Sequence, residues 1–326
     1  MHALVLDRPG SPDTLRLAEL PTPEPGPGQV RIRVEAAALN PVDYQVGGGG
    51  HPDWSWPHVL GLDVAGTVDA LGEGVGHVTL GQRVAYHGDL RRPGGFAEYA
   101  LAEADALAPV PEALDAATAA ALPCAGMTAY QCVVRRLHVT GEDTVLITGG
   151  AGGVGGYAVQ LAALAGARVI ATASARNAEH VRKLGADEVI DYRGEDVPAR
   201  VRELTGGRGV DAVIDTVSSE SATANLALLA HGGGLASVAG RPDQQAVPAF
   251  TIAPSLHEIA LGGAYSHGDT RARVDLSRML SELFALTADG RLDPMLARTL
   301  TLEEVPAGLT ELASRHVRGK LVLSFA

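Results

Sequence analysis

The stretch "VLITGGAGGVGGYAVQLA", residues 145–162, decides the reading of this chain. It opens on an apolar, β-branched run, passes through a cluster of glycines and continues as an amphipathic run. Gly150, Gly152 and Gly155 form G-x-G-x-x-G at this strand-to-helix junction. The first glycine is expected to permit the tight turn. The second lets backbone approach a pyrophosphate without a Cβ in the way, and the third lets the helix pack closely on the strand. The helix N-terminus then offers unpaired N–H groups and a positive dipole end to phosphates. The cofactor residues read from this fingerprint are Gly150, Ala151, Gly152, Gly153, Val154 and Gly155. No Gly-Lys-Ser/Thr follows, which excludes a mononucleotide P-loop.

A glycine-rich turn alone would satisfy so short a pattern, so its surroundings carry the weight. Strand-like runs at 144–148, 168–173, 188–192, 210–217 and 234–240 alternate with helix-like runs at 153–165, 176–184, 196–205 and 219–230. A sixth strand is expected at 258–265, "EIALGGAY". This alternation means βαβ units and a doubly wound parallel sheet. An acidic residue at the end of the second strand would select NAD by binding its ribose hydroxyls. Ser174 and Arg176 stand there instead, and the first acid is Glu179, inside the next helix. A hydroxyl and a guanidinium suit a 2′-phosphate. Tyr192 and Arg193, at the end of the third strand, are expected to share it. NADPH is the cofactor expected.

The first third reads differently. In "GQVRIRVEAA" Val30, Ile32 and Val34 alternate with Arg31, Arg33 and Glu35, the period of a half-buried strand. Further short strands separated by glycines suggest a barrel-like β unit. The final "GKLVLSF" reads as one strand, and one strand is no domain. It is expected to rejoin the β unit, which makes that unit discontinuous: residues 1–123 plus 266–326, with a dinucleotide-binding domain at 124–265.

Composition sets the outer bounds. A chain of 326 residues usually divides into two domains. A net charge of −12 argues against nucleic acid as a partner. Cys124 and Cys132 lie in an apolar, alanine-rich stretch and read as buried thiols, in keeping with a reducing cytoplasm. Asp7 and Arg8 come too early for a signal peptide. The uncharged run 116–134 contains Pro123, Gly126, Thr128 and Gln131 and reads as buried helix and loop, not a membrane span.

The order of motifs resembles the medium-chain dehydrogenase/reductase superfamily, in particular its zinc-free, zeta-crystallin-like quinone oxidoreductase branch. The stretches that carry the resemblance are "AAALNPVDY" (36–44), "VLGLDVAGTV" (59–68), "GGFAEYA" (94–100), "TAY" (128–130), "GGAGGVG" (149–155), "GADEVIDYR" (185–193) and "GKLVL" (319–323). The resemblance implies an α/β fold in which a Rossmann domain is inserted into a GroES-like β-barrel domain. It implies an NADPH-dependent oxidoreductase that passes hydride to a quinone or an α,β-unsaturated carbonyl, and a homodimer paired through Rossmann sheet edges. It places Asn40 and Asp43 beside the nicotinamide, Tyr44 as an adjacent hydroxyl donor, Thr128 near the nicotinamide ribose or amide, and Lys320 among the cofactor contacts. Asn40 and Asp43 also fit an Asn-Pro-x-Asp turn whose side chains cap backbone groups.

No metal is expected. Zinc relatives have Gly-His-Glu where Leu62 and Asp63 stand here, no cysteine precedes Cys124, and the four-cysteine lobe is missing. His51 and His58 read as loop histidines. The loop 45–56, with four consecutive glycines, Trp54 and Trp56, reads either as a mobile wall for a flat substrate or as an anchored surface loop. "DTVSS" places Ser218 where the branch usually has glycine, which leaves the local loop geometry open. An enoyl-thioester or haloacrylate-type reductase and a catalytically silent, crystallin-like NADPH-binding protein stand as alternatives. No tyrosine is followed four residues on by lysine, which excludes a short-chain dehydrogenase, and no G-x-S-x-G marks a serine hydrolase.

Overall fold

A computed structural model describes residues 1–325 and divides the chain into two compact units. One is Thr128–Ala260. The other joins Met1–Met127 to the residues from Leu261 onward. The β unit is therefore discontinuous, and the crossover points fall at 127/128 and 260/261 instead of the expected 123/124 and 265/266.

The inner unit is built on one parallel sheet. Its strands lie side by side in the order Glu188–Asp191, Arg168–Ala173, Thr144–Ile147, Val210–Asp215, Leu229–Ser237 and Ser255–Glu258. Numbered along the chain this is 3-2-1-4-5-6, the doubly wound dinucleotide-binding order. Both faces of such a sheet are covered, so its central strands are largely apolar, whereas the edge strand Ser255–Glu258 has no buried residue. Leu146, Ile170, Ile190, Val213 and Leu235, one from each of five neighbouring strands, form the centre of its core. The sixth strand differs from expectation. It is Ser255–Glu258, and Gly263–Ser266 is a short helix. The Gly262–Gly263 pair offers a sheet no side chains to pack. Tyr265 then belongs to the β unit, where it is buried and its hydroxyl donates to the His87 carbonyl at 2.5 Å.

In the β unit, the long strand Gln29–Ala38 organises the larger sheet. It pairs antiparallel with Asp63–Leu71, with Tyr99–Glu103 and with Lys320–Ser324. Val30, Ile32 and Val34 face the core, as their spacing requires. Asp63–Leu71 pairs in turn with Arg83–His87. The terminal strand thus rejoins the β unit. Register then sets up the chemistry: Val322 faces Ala38, Ala38 faces Asp63, and Asp63 faces His87. Continuing the antiparallel register carries Lys320 alongside Asn40. Residues far apart in the chain form one row across one end of the sheet. No helix among the described residues is long and apolar enough to cross a membrane.

Candidate active site

The glycine turn lies between the strand Thr144–Ile147 and the helix Gly153–Leu164. The left-handed residue is Gly149, with φ 68°, one position before the fingerprint's first glycine. Gly150 is instead a site of close packing: a Cβ there would lie 3.1 Å from the side chains of Ala171 and Val181. A Cβ on Gly155 would lie 2.2 Å from the Gly149 carbonyl oxygen, so only glycine lets the helix start against the turn. Gly152 is the helix N-cap, and Gly153, Val154 and Gly155 begin the helix with N–H groups that have no intrahelical partner. Three threonines fix the strand ends around this turn. Thr172 Oγ1 accepts the Gly149 N–H at 3.1 Å, and Thr216 Oγ1 donates to the Thr148 carbonyl at 2.8 Å. The sequence reading missed them, because a threonine at a strand end carries no distinguishing signal.

Ser174 is buried at the end of the second strand, and Arg176 is exposed with no partner among the described residues. Ala173 pairs with Asp191, so Tyr192 and Arg193 follow at the end of the adjacent strand. Tyr192 is exposed, with the Arg193 guanidinium 5.6 Å from its ring centroid. Thr128 is buried on the helix Pro123–Tyr130. Ser218 N-caps the helix Ser219–Asn225 by accepting the Ser221 N–H at 3.2 Å, a function that glycine cannot perform.

In the β unit the row of strand ends forms a buried polar cluster. Asp63 is fully buried, and both its oxygens are occupied. Oδ1 accepts from His87 Nδ1 at 2.7 Å, Oδ2 accepts from Asn40 Nδ2 at 2.8 Å, and the Cys124 N–H reaches both at 3.0 Å. Lys320 Nζ donates to Asn40 Oδ1 at 2.5 Å and to the Leu39 carbonyl at 3.3 Å, and it stands 3.9 Å from Asp63 Oδ2. Lys320 was expected among the cofactor contacts. Its ammonium is instead buried and held by Asn40, because the register of the terminal strand delivers it there.

Asp43 lies in the first turn of the helix Pro41–Gly49, and its Oδ2 accepts the Asn40 N–H at 2.8 Å. The turn-capping reading therefore holds for Asp43, whereas the Asn40 side chain is spent on Lys320 and Asp63. Asp43 Oδ1 is buried without a partner. Burial, with the Asp63 charge added, pushes the carboxyl up to about 7 against the pull of the Asn40 N–H, Lys320 and His87. Unfolded, the group ionises near 3.8, the ordinary aspartate value. The native state thus binds the proton more tightly. Its stability contribution is complete below the unfolded value and is lost as pH rises through about 7. At about 1.36 kcal/mol per pH unit, the loss is on the order of 4 kcal/mol. Asp43→Asn is expected to remove most of this pH dependence. Urea unfolding of both proteins at several pH values checks it, and equal slopes would refute it.

Tyr44 is half-buried, and no group orients its hydroxyl among the described residues. The segment 45–56 is helical as far as Gly49, and Gly50, with φ 72°, ends the helix. Trp54 is not a free stacking wall. It is buried, its Nε1 donates to the Leu90 carbonyl at 2.8 Å, and its ring stacks on His58 at 3.9 Å. Burial drops His58 to about 4, which keeps that ring neutral. Trp56 is the exposed member of the pair.

Asp63, His87 and Cys124 place their ligand atoms within 4.8 Å of one another, so a metal has to be tested there. Their chemistry does not fit zinc. The Asp63 oxygens are filled by N–H donors, an ammonium stands where a cation would be repelled, and His87 Nδ1 is turned to the carboxylate. Burial and the Asp63 charge push the Cys124 thiol well above the ordinary cysteine range, away from the thiolate that a metal needs.

Comparison with known proteins bears on both units. Residues 26–112 match the family model of the alcohol dehydrogenase GroES-like domain, and residues 153–283 match that of the zinc-binding dehydrogenase. A pig (Sus scrofa) quinone oxidoreductase is 31% identical over 99% of this chain and 97% of its own. Among solved structures, an NAD-dependent alcohol dehydrogenase is 34% identical, with a TM-score of 0.88 over all of both chains. The mycobacterial protein Rv1454c complexed with NADPH is likewise 34% identical, with a TM-score of 0.88 over 99% of this chain and 100% of that one.

Proposed function

As this chain belongs to the quinone oxidoreductase branch of the medium-chain dehydrogenase/reductase superfamily, we propose that it is an NADPH-dependent, zinc-independent reductase of quinones or α,β-unsaturated carbonyls. The choice of NADPH rests above all on Arg176, an exposed guanidinium with no partner among the described residues, just past Ser174 at the end of the second strand. No acid stands there to favour the unphosphorylated ribose. Gly152–Gly155 and the first-turn amides cradle the pyrophosphate, and Arg176 holds the 2′-phosphate. When bound, the nicotinamide supplies a hydride. The acceptor is already activated by conjugation, so hydrogen-bond donors suffice to stabilise the charge that gathers on its oxygen. We place the acceptor at the buried polar row of the β unit, with Asn40 held rigidly by Lys320 and Asp63. The protein works as a cytoplasmic homodimer, with Ser255–Glu258 as the open sheet edge for pairing.

Two measurements test this reading. The purified protein is expected to oxidise NADPH with a panel of quinones and enones and to keep its activity after chelation. Tight NADPH binding without turnover on any acceptor would favour a silent binding protein. Arg176→Ala is expected to weaken NADPH by about 10- to 100-fold, the value of a charge-assisted hydrogen bond, and to leave NADH little changed. Equal effects on the two cofactors would remove the 2′-phosphate assignment.

A further inference from the structure

We propose that His87 is the group that protonates the reduced acceptor and that Asp63 positions it; the proposal rests on the reductase reading above. A hydride delivered to an enone or quinone leaves an electron pair on the acceptor oxygen, and a proton must follow. His87 ends the strand Arg83–His87, at the edge of the polar row. Its Nδ1 lies 2.7 Å from Asp63 Oδ1, an acceptor with no proton to give, so Nδ1 carries a hydrogen. The tautomer and the ring plane are thereby fixed, and Nε2 is the one ring nitrogen left for chemistry.

Three further observations single this atom out. The His87 ring is buried, yet Nε2 has no hydrogen-bond partner among the described residues and is not sealed from solvent. Its main chain is pinned as well, because the buried Tyr265 hydroxyl donates to the His87 carbonyl at 2.5 Å. The charged and titratable groups around it also suit the task. Asp63 faces it from the strand Asp63–Leu71, Lys320 from the terminal strand, Asp43 from the helix Pro41–Gly49 and Cys124 from the helix Pro123–Tyr130. Asp63 holds the ring directly through Nδ1. Lys320 is committed to Asn40, and Cys124 keeps its proton. Tyr44, the donor expected from sequence, has no comparable support.

In the step, the Nε2–H bond breaks and an O–H bond forms on the acceptor. The acceptor gains two electrons and one hydrogen as hydride from NADPH and one proton from His87. Neutral His87 then recovers its proton from solvent.

The test uses the full-length protein loaded with NADPH, with one quinone and one enone as acceptors. In the wild type, kcat is expected to fall as pH rises and to show a solvent deuterium isotope effect. His87→Asn keeps an N–H toward Asp63 and has nothing at the Nε2 position. It is expected to lower kcat by about 100-fold or more, leave the NADPH dissociation constant unchanged, and lose both the pH limb and the isotope effect. Asp63→Asn is expected to lower kcat with little change in KM and to alter the pH profile without abolishing it. Circular dichroism and NADPH titration accompany each variant, and His87→Gln is the second replacement if His87→Asn does not fold. The proposal is overturned if wild-type kcat does not depend on pH, if a folded His87 variant keeps the wild-type rate and profile, or if stoichiometric zinc is bound through His87. A wild type that oxidises NADPH while its His87 variants are unaffected removes the proton donor alone. A wild type inert on every acceptor removes the reductase reading with it.

Discussion

Replacing Lys320 by methionine is expected to destabilise the protein by about 3–5 kcal/mol, the usual cost of removing one partner from a buried charged pair. The ammonium is buried and satisfies Asn40 Oδ1 and the Leu39 carbonyl directly. At 3.9 Å it is also, among the described residues, the one fixed positive charge beside the fully buried Asp63. Methionine fills the volume but leaves a carboxylate and two acceptors facing an apolar chain. The chain supplies its own control, because it has one other lysine. Lys183 pairs with Glu179 on an exposed helix face, and Lys183→Met is expected to leave the unfolding midpoint where it is. Urea denaturation of the three proteins decides the matter. A Lys320 variant as stable as the Lys183 variant would refute the assignment of Lys320 as a stabilising partner of the buried row.

The second large effect is expected at Gly155. Gly155→Ala sets a methyl 2.2 Å from the Gly149 carbonyl oxygen, which belongs to backbone and has nowhere to go. The helix must back away from the strand, at a cost on the order of 3 kcal/mol or more, and dinucleotide binding should vanish with the turn. Gly152→Ala separates the two roles. Its new methyl would lie 3.4 Å from the same oxygen, an ordinary contact, so the fold is expected to hold. The methyl would still stand where backbone approaches the pyrophosphate, and NADPH affinity should fall. Melting temperatures together with NADPH fluorescence titrations distinguish the pair. Loss of binding without loss of stability in Gly155→Ala would refute the packing argument.

The contrast between these two sites shows what a linear sequence can carry. The glycine turn, its strand and its helix are contiguous, and each residue's reason for being there is local. The alternation of strands and helices that sets Ser174 and Tyr192 at adjacent strand ends is also local, repeated along the chain. The shift of the left-handed residue to Gly149 was beyond reach, because two adjacent glycines serve equally well on paper. The polar row is a different case. Asn40, Asp63, His87 and Lys320 come from four strands or strand ends, and only antiparallel register aligns them. Asp63 drew notice solely for standing where a zinc relative has glutamate, and His87 resembled any histidine at the end of a strand. Trp54 was ambiguous for a similar reason, since its partner His58 and the Leu90 carbonyl meet it only after folding. The sixth strand was misplaced because "EIALGGAY" has the apolar content of a strand, while the folded chain draws Tyr265 into the β unit.

The split β unit also dictates an order of events during synthesis. A ribosome must extrude all of Thr128–Ala260 before it makes the segment Lys320–Ser324. Through that interval Asp63 and Asn40 are present without their cation, and the nascent β unit has an unclosed sheet. The dinucleotide unit is complete earlier and can capture its nucleotide while the remainder is still being translated. Any messenger cut between the two would therefore yield a product with a finished inner unit and a buried Asp63 that has no counter-ion.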